Sequence, residues 1–183
     1  AVVIFCAVGG VEPQSETVWR QADRYHVPRL AYINKLDRVG ADFDNVVRMM
    51  ADRLGAKPVP IHTPMFVGEQ FMGVIDLVEM KAYRYLDETM GSKYEVEEIP
   101  ADLLEEATKY HDLMIERVAE AAHAAGDDVL FEKFVGGEKP TVAEIKKAIQ
   151  QALFVGGSAS RLIELVRIEK DPDLRLTAVR HLG

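Results

Sequence analysis

Cysteine is nearly absent: the 183-residue chain holds one, Cys6. A lone thiol closes no internal disulfide, and inside an apolar run it packs as a small hydrophobe. A reducing, cytoplasmic compartment is therefore the expectation. Long hydrophobic runs are missing too. The longest, residues 1–8 (AVVIFCAV), falls far short of a membrane span and has neither the basic flank nor the cleavage site of a signal peptide. No membrane partner is expected. Basic charge is in short supply, with 22 Lys and Arg against 30 Asp and Glu and a net charge of −8. That excludes broad electrostatic wrapping of nucleic acid, and no direct sequence-specific nucleic-acid binding is expected. The phosphate-loop signature G-x-x-x-x-G-K-[ST] is absent, and no glycine is followed by lysine. The chain as given carries no phosphate cradle of that type and no Ser/Thr placed for magnesium.

What is present is ordinary globular composition, 48% apolar and 28% charged, in a chain long enough to bury a core without metals. It opens on Ala1 inside an apolar run and closes on Gly183 after a helical pattern; the expectation is a piece of something larger. Residues 1–8 are continuously apolar, which suits a strand buried on both faces of a parallel sheet. Pro13 then fits the first turn of a helix with Val18, Trp19, Ala22 and Tyr25 on one face. A second strand over 29–33 completes a βαβ unit. An amphipathic helix over 42–54 follows, with Phe43, Val46, Val47, Met50 and Leu54 inward and Gly55 as its stop.

Pro58, Pro60 and Pro64 then punctuate a passage that reads as loop. Strands over 71–78, 80–86 and 94–99 have connections too short for parallel crossovers, so an antiparallel meander is expected. Helices follow over 100–125, 129–135 and 142–153, the last behind a Thr141/Glu144 capping box. Ser158 is placed to cap a helix through about Ile168, and Asp171-Pro172 to open another, giving a helical hairpin. The fold class is thus α/β, a parallel sheet with flanking helices, carrying an α+β insertion and then a short helical hairpin. The divisions expected are 1–60, 61–153 and 154–183.

The chemistry-bearing residues are Asn34-Lys35-Leu36-Asp37, directly after the strand over 29–33. Open α/β sheets bind ligands beyond the carboxyl ends of their strands. A carboxylate at Asp37 can accept two parallel hydrogen bonds from the N1–H and exocyclic amine of guanine, a pair that adenine does not offer. Such a site rejects analogues because its own polar groups would go unpaired. Asn34 can serve the N7/O6 edge and tie the loop together, while the Lys35 stem lies on the base face. The pattern alone is a modest signal, since a polar loop after a strand is common; its placement gives it weight. Gly9-Gly10 lacks the rest of a phosphate fingerprint and reads as a turn.

At this point the residues resemble a known family. AVGGVEPQSETVWRQADRYHVPRLAYINKLDRVGADF, and then DRLGAKPVPI, GVIDLVEMKAYRY and KYEVEEIPADLLEEA, are similar to the GTPase domain of translation elongation factor G with its insertion subdomain. The resemblance covers about residues 1–153. It implies a partial P-loop GTPase fold, GTP or GDP as ligand, magnesium held by ligands absent from this chain, and a role in moving tRNA and mRNA through the ribosome. By family motif Asn34, Lys35 and Asp37 read guanine, and residues 12–17 begin the helix after the second switch region. The insertion is the implied contact for the ribosomal stalk protein. The phosphate loop, first switch and catalytic histidine segment have no counterpart in these residues, so the chain alone is expected to hydrolyse no GTP at a useful rate. Ser158-Ala159 offer a weak match to the family's second guanine-reading segment. The residues after them resemble one HEAT-type helical repeat, which cannot bury its face alone.

Other constellations are weaker. His62, His111, His123 and His181 show no metal-ligand spacing, His111 and His123 read as a solvated helix face, and His26 as a helix cap. Apolar surface is expected on residues 2–7 and on the Val18/Trp19 face, with the insertion folding better than the βαβ portion. The rival reading from another class is a non-catalytic interaction module that binds the stalk or another protein.

Overall fold

Two sheets are built by two different sequence textures, as the computed structural model shows over its described residues, 1–86, 93–154 and 164–168. The β-branched runs give a parallel sheet. Strands β1 (Val2–Cys6) and β2 (Leu30–Asn34) flank helix α1 (Pro13–Arg24), and helix α2 (Phe43–Leu54) leads to β3 (Pro58–Pro60). The order is β1-β2-β8-β3, with β8 (Glu164–Ile168) pairing parallel to both β2 and β3. Pro13 sits at the first turn of α1, as its fixed φ favours. Asp42 caps α2 by accepting from the Asn45 N–H at 2.8 Å, and Gly55 ends it at φ 62°.

The second sheet is an antiparallel meander, β4 (His62–Val67), β5 (Gln70–Asp76), β6 (Lys81–Tyr85) and β7 (Tyr94–Glu97), in chain order. Helices α3 (Ala101–Ala124), α4 (Val129–Gly136) and α5 (Val142–Phe154) pack together beside it. The capping box forms as expected: Glu144 accepts from the Thr141 N–H at 2.8 Å, and Thr141 Oγ1 accepts from the Glu144 N–H. One apolar cluster lies under α3 around Met114, Val118 and Leu77; the other lies under α1 and α2 around Trp19, Phe43 and Met50.

Four expectations change. The segment over 58–64 is two strands rather than a loop. Its prolines lie in β3 and β4, each at an edge of its sheet, where a missing N–H costs no ladder bond. Residues 164–168 form a strand, not the end of a helix begun at Ser158: pairing on both sides decides the conformation of ELVRI, as tertiary context often does for short apolar runs. The strand over 1–8 is buried on one face only, with Val3 and Phe5 inside and Val2 and Ile4 nearly half exposed. On α1, Trp19 and Ala22 are buried while Val18 and Tyr25 face outward; Trp19 lies beneath the Arg29 guanidinium, 4.2 Å from its ring centre. The pattern expected over 171–183 lies outside the described residues.

Of the two histidines read as solvated, His123 is exposed and His111 is half-buried. His111 Nδ1 lies 2.6 Å from the Leu77 carbonyl oxygen, and His62 is buried with Nε2 3.6 Å from Asp76. His123 is half exposed and stacked on Phe131.

Candidate guanine-base site

Parallel registry brings the C-terminal ends of β1 and β2 level, Cys6 opposite Asn34. The loop after β2 therefore starts at the carboxyl edge of the sheet, the usual ligand edge of an open α/β fold. Its first turn is held by its own side chain: Asn34 Oδ1 accepts from the Lys35 N–H at 2.8 Å. Lys35 adopts φ 66°, a left-handed conformation that a non-glycine residue keeps only where its surroundings enforce it. The enforcing contacts are visible. Leu36 is buried in the cluster with Phe5 and Phe43, the Arg38 N–H donates to the Lys35 carbonyl, and the Asp42 N–H donates to the Ala7 carbonyl. One buried leucine thus pins a loop whose polar members point outward.

Asp37 and Lys35 are exposed, and among the described residues neither side chain has a partner. A carboxylate without an internal partner at a ligand edge is free to accept a pair of parallel N–H donors. The local field is basic. The Cys6 thiol is held below its ordinary pKa first by the Gly9 N–H, against the effect of burial, and further by the Val8 N–H and the charges of Lys35 and Arg38. The helix that opens at Pro13 is tied to this edge from the other side. Arg53 of α2 donates to the Val11 carbonyl and pairs with Glu16 of α1, both at 2.5 Å.

The structure thus brings Asn34, Lys35 and Asp37 together on one turn. Ser158 and Ala159 lie outside the described residues. The strand that follows them, β8, runs parallel to β2 with Ile168 level with Ile33, so its C-terminal end points toward the Asn34 loop. Sequence reasoning missed the Leu36 anchor and the left-handed Lys35; the one available signal was a lone leucine between polar residues. Among the described residues no group of three or more His, Cys, Asp or Glu side chains is arranged to hold a metal ion.

A parallel sheet flanked by helices, with this loop at its carboxyl edge, is an open α/β architecture of the class that binds ligands at that edge. Residues 1–168 match the elongation factor Tu GTP binding domain, and the chain belongs to that family of translational GTP-binding proteins. The crystal structure of ttk003000868 from Thermus thermophilus superposes with a TM-score of 0.79 at 26% identity, covering 100% of this chain and 26% of that one. The chain therefore spans about a quarter of the length of that relative. No described helix is long and apolar enough to cross a membrane.

Proposed function

We propose that the chain is the base-reading half of the GTP-binding domain of elongation factor G, carrying its insertion subdomain, and that in the whole factor it serves GTP-driven translocation of tRNA and mRNA in the cytoplasm. The observation that carries this reading is the Asn34-Lys35-Leu36-Asp37 turn at the carboxyl end of β2, with the Asp37 carboxylate free. The match of both the core and the insertion to the factor's sequence supports it over other ribosomal GTPases. Asp37 selects guanine, Asn34 organises the loop and Lys35 covers the base; Ser158-Ala159 stand as the second base-reading segment. Residues 1–60, with 164–168 as a further strand of their sheet, form the domain core, 61–153 the insertion that meets the stalk protein, and the rest of 154–183 the junction and HEAT-like tail. The phosphate and magnesium contacts belong to segments with no counterpart in these residues, so this chain by itself turns over no GTP.

Competition of GDP, ADP and other nucleotides for the chain tests the reading. GDP should win, and Asp37→Asn should reduce its advantage about ten- to a hundredfold, the worth of hydrogen bonds to a charged acceptor. Equal competition by ADP before the substitution sinks the base-reading role. Capture on immobilised stalk protein separates the rival: dependence on guanine nucleotide supports the GTPase reading, and indifference supports a non-catalytic interaction module.

A further inference from the structure

The loop from Asn34 to Asp42 hangs at both ends on a single residue. Ala7, 1% exposed and just past β1, donates its N–H to the Asn34 carbonyl at 2.8 Å and accepts from the Asp42 N–H at 3.0 Å. Between those two points the chain passes through left-handed backbone at Lys35 and again at Gly40, φ 83°, and the Ala41 N–H donates to the Arg38 carbonyl. Leu36 near the start and Phe43 just past the end are buried in one apolar cluster. A compact loop with adjoining ends moves as a unit unless one end opens, and Asp37 stands in the middle of it.

The two ends are held differently. The first is secured by the parallel ladder, in which Cys6 and Asn34 are register partners. The second belongs to no strand and depends on Asp42, whose three polar groups are all in use. Its carboxylate caps α2 by accepting from the Asn45 N–H at 2.8 Å, its carbonyl accepts from the Val46 N–H, and its own N–H goes to Ala7. An N-cap side chain holds its residue out of helical backbone, and Asp42 stands at φ −141° and ψ 102°. That extended setting aims the Asp42 N–H back at the loop rather than along the helix. Two residues further on, Asp44 accepts a hydrogen bond from the Tyr110 hydroxyl of α3, which keeps the body of the helix in place when its cap is altered.

We propose that Asp42 is a positioning residue for guanine recognition: by capping α2 it closes the loop on Ala7 and fixes where the Asp37 carboxylate stands. The inference rests on the reading of Asp37 as the base-selecting group. Two parallel hydrogen bonds require one orientation of their acceptor, so a loop open at one end loses its preference between bases. The test is the ratio of GDP to ADP affinity, measured by competition on the full chain beside the urea midpoint. Asp42→Ala should lower the ratio about three- to tenfold, the worth of a helix cap, and speed hydrogen exchange at the amide of position 42. Asp42→Asn, which caps as well, should keep both. Thr141→Ala, at the cap of α5, should lower the midpoint with the ratio unchanged. Where Asp42→Ala does not fold, Asp42→Gly carries the same expectation, because glycine is tolerated at helix caps. An unchanged ratio in Asp42→Ala or Asp42→Gly overturns the proposal and leaves the role of Asp37 standing. An equal fall in Thr141→Ala or in Asp42→Asn also overturns it, and a ratio near one in the unaltered chain sinks both readings.

Discussion

At the scale of residues, backbone proximity sets the sharpest constraint. A Cβ on Gly73 would lie 2.0 Å from the Tyr83 carbonyl oxygen, inside the β5–β6 pairing. Gly73→Ala should therefore cost about 2 kcal/mol or more, read as a lowered urea midpoint, and an unchanged midpoint would refute the close approach. Asp76 supplies a pH signature. Burial pushes its carboxyl up, but the contact with His62 and the N–H groups of Glu79 and Val78 outweigh that and leave it below its ordinary value. A depressed folded pKa means its stabilisation is complete above the unfolded value of about 4 and is lost as pH falls through the lower folded value. Asp76→Asn should flatten the acid limb of the stability curve; an equally steep limb assigns the acid loss elsewhere. The Asn34-Lys35-Leu36-Asp37 turn was legible as a candidate site because polar types after a buried strand are informative in themselves. The backbone angle at Lys35 was not, because nothing in a lysine asks for a positive φ; only the packing of Leu36 and the reach of Asn34 impose it.

Elements were legible where local chemistry and burial agree. Helix α2 carries its cap, stripe and glycine stop in the sequence, and α5 its capping box. They were misread where pairing partners lie far along the chain. The prolines of β3 and β4 signal loop until their edge positions are known. ELVRI reads equally as a helix segment until β2 and β3 are seen on either side of it. The strand assignment of β8 has a direct check. Amide and α-proton NOEs should link Leu165 to its register partners Leu30 and Val59, with extended carbon shifts through 164–168. Sequential helical NOEs in their place would return that segment to the helical reading.

The whole molecule is less divisible than its two sheets suggest. The cluster beneath α3 includes Val59 of β3 and Ile61 just after it, and the cluster around Trp19 includes Phe71 and Val74 from the meander. Each core thus needs residues from the other side, which argues for one cooperative transition rather than an insertion that outlasts the βαβ unit. Trp19, the single tryptophan, reports one cluster, and far-UV ellipticity, dominated by α3–α5, reports the other. Their urea midpoints should coincide, and a tryptophan transition well ahead of the ellipticity change would restore the independent insertion. The Tyr110–Asp44 hydrogen bond gives the same interdependence a direction. Asp44 sits in the first turn of α2, a few residues after Asp37, and Tyr110 sits midway along the longest helix of the insertion. α3 is in that sense a lever arm with its fulcrum at the first turn of α2. A load applied far out along it is felt as torque at the start of α2.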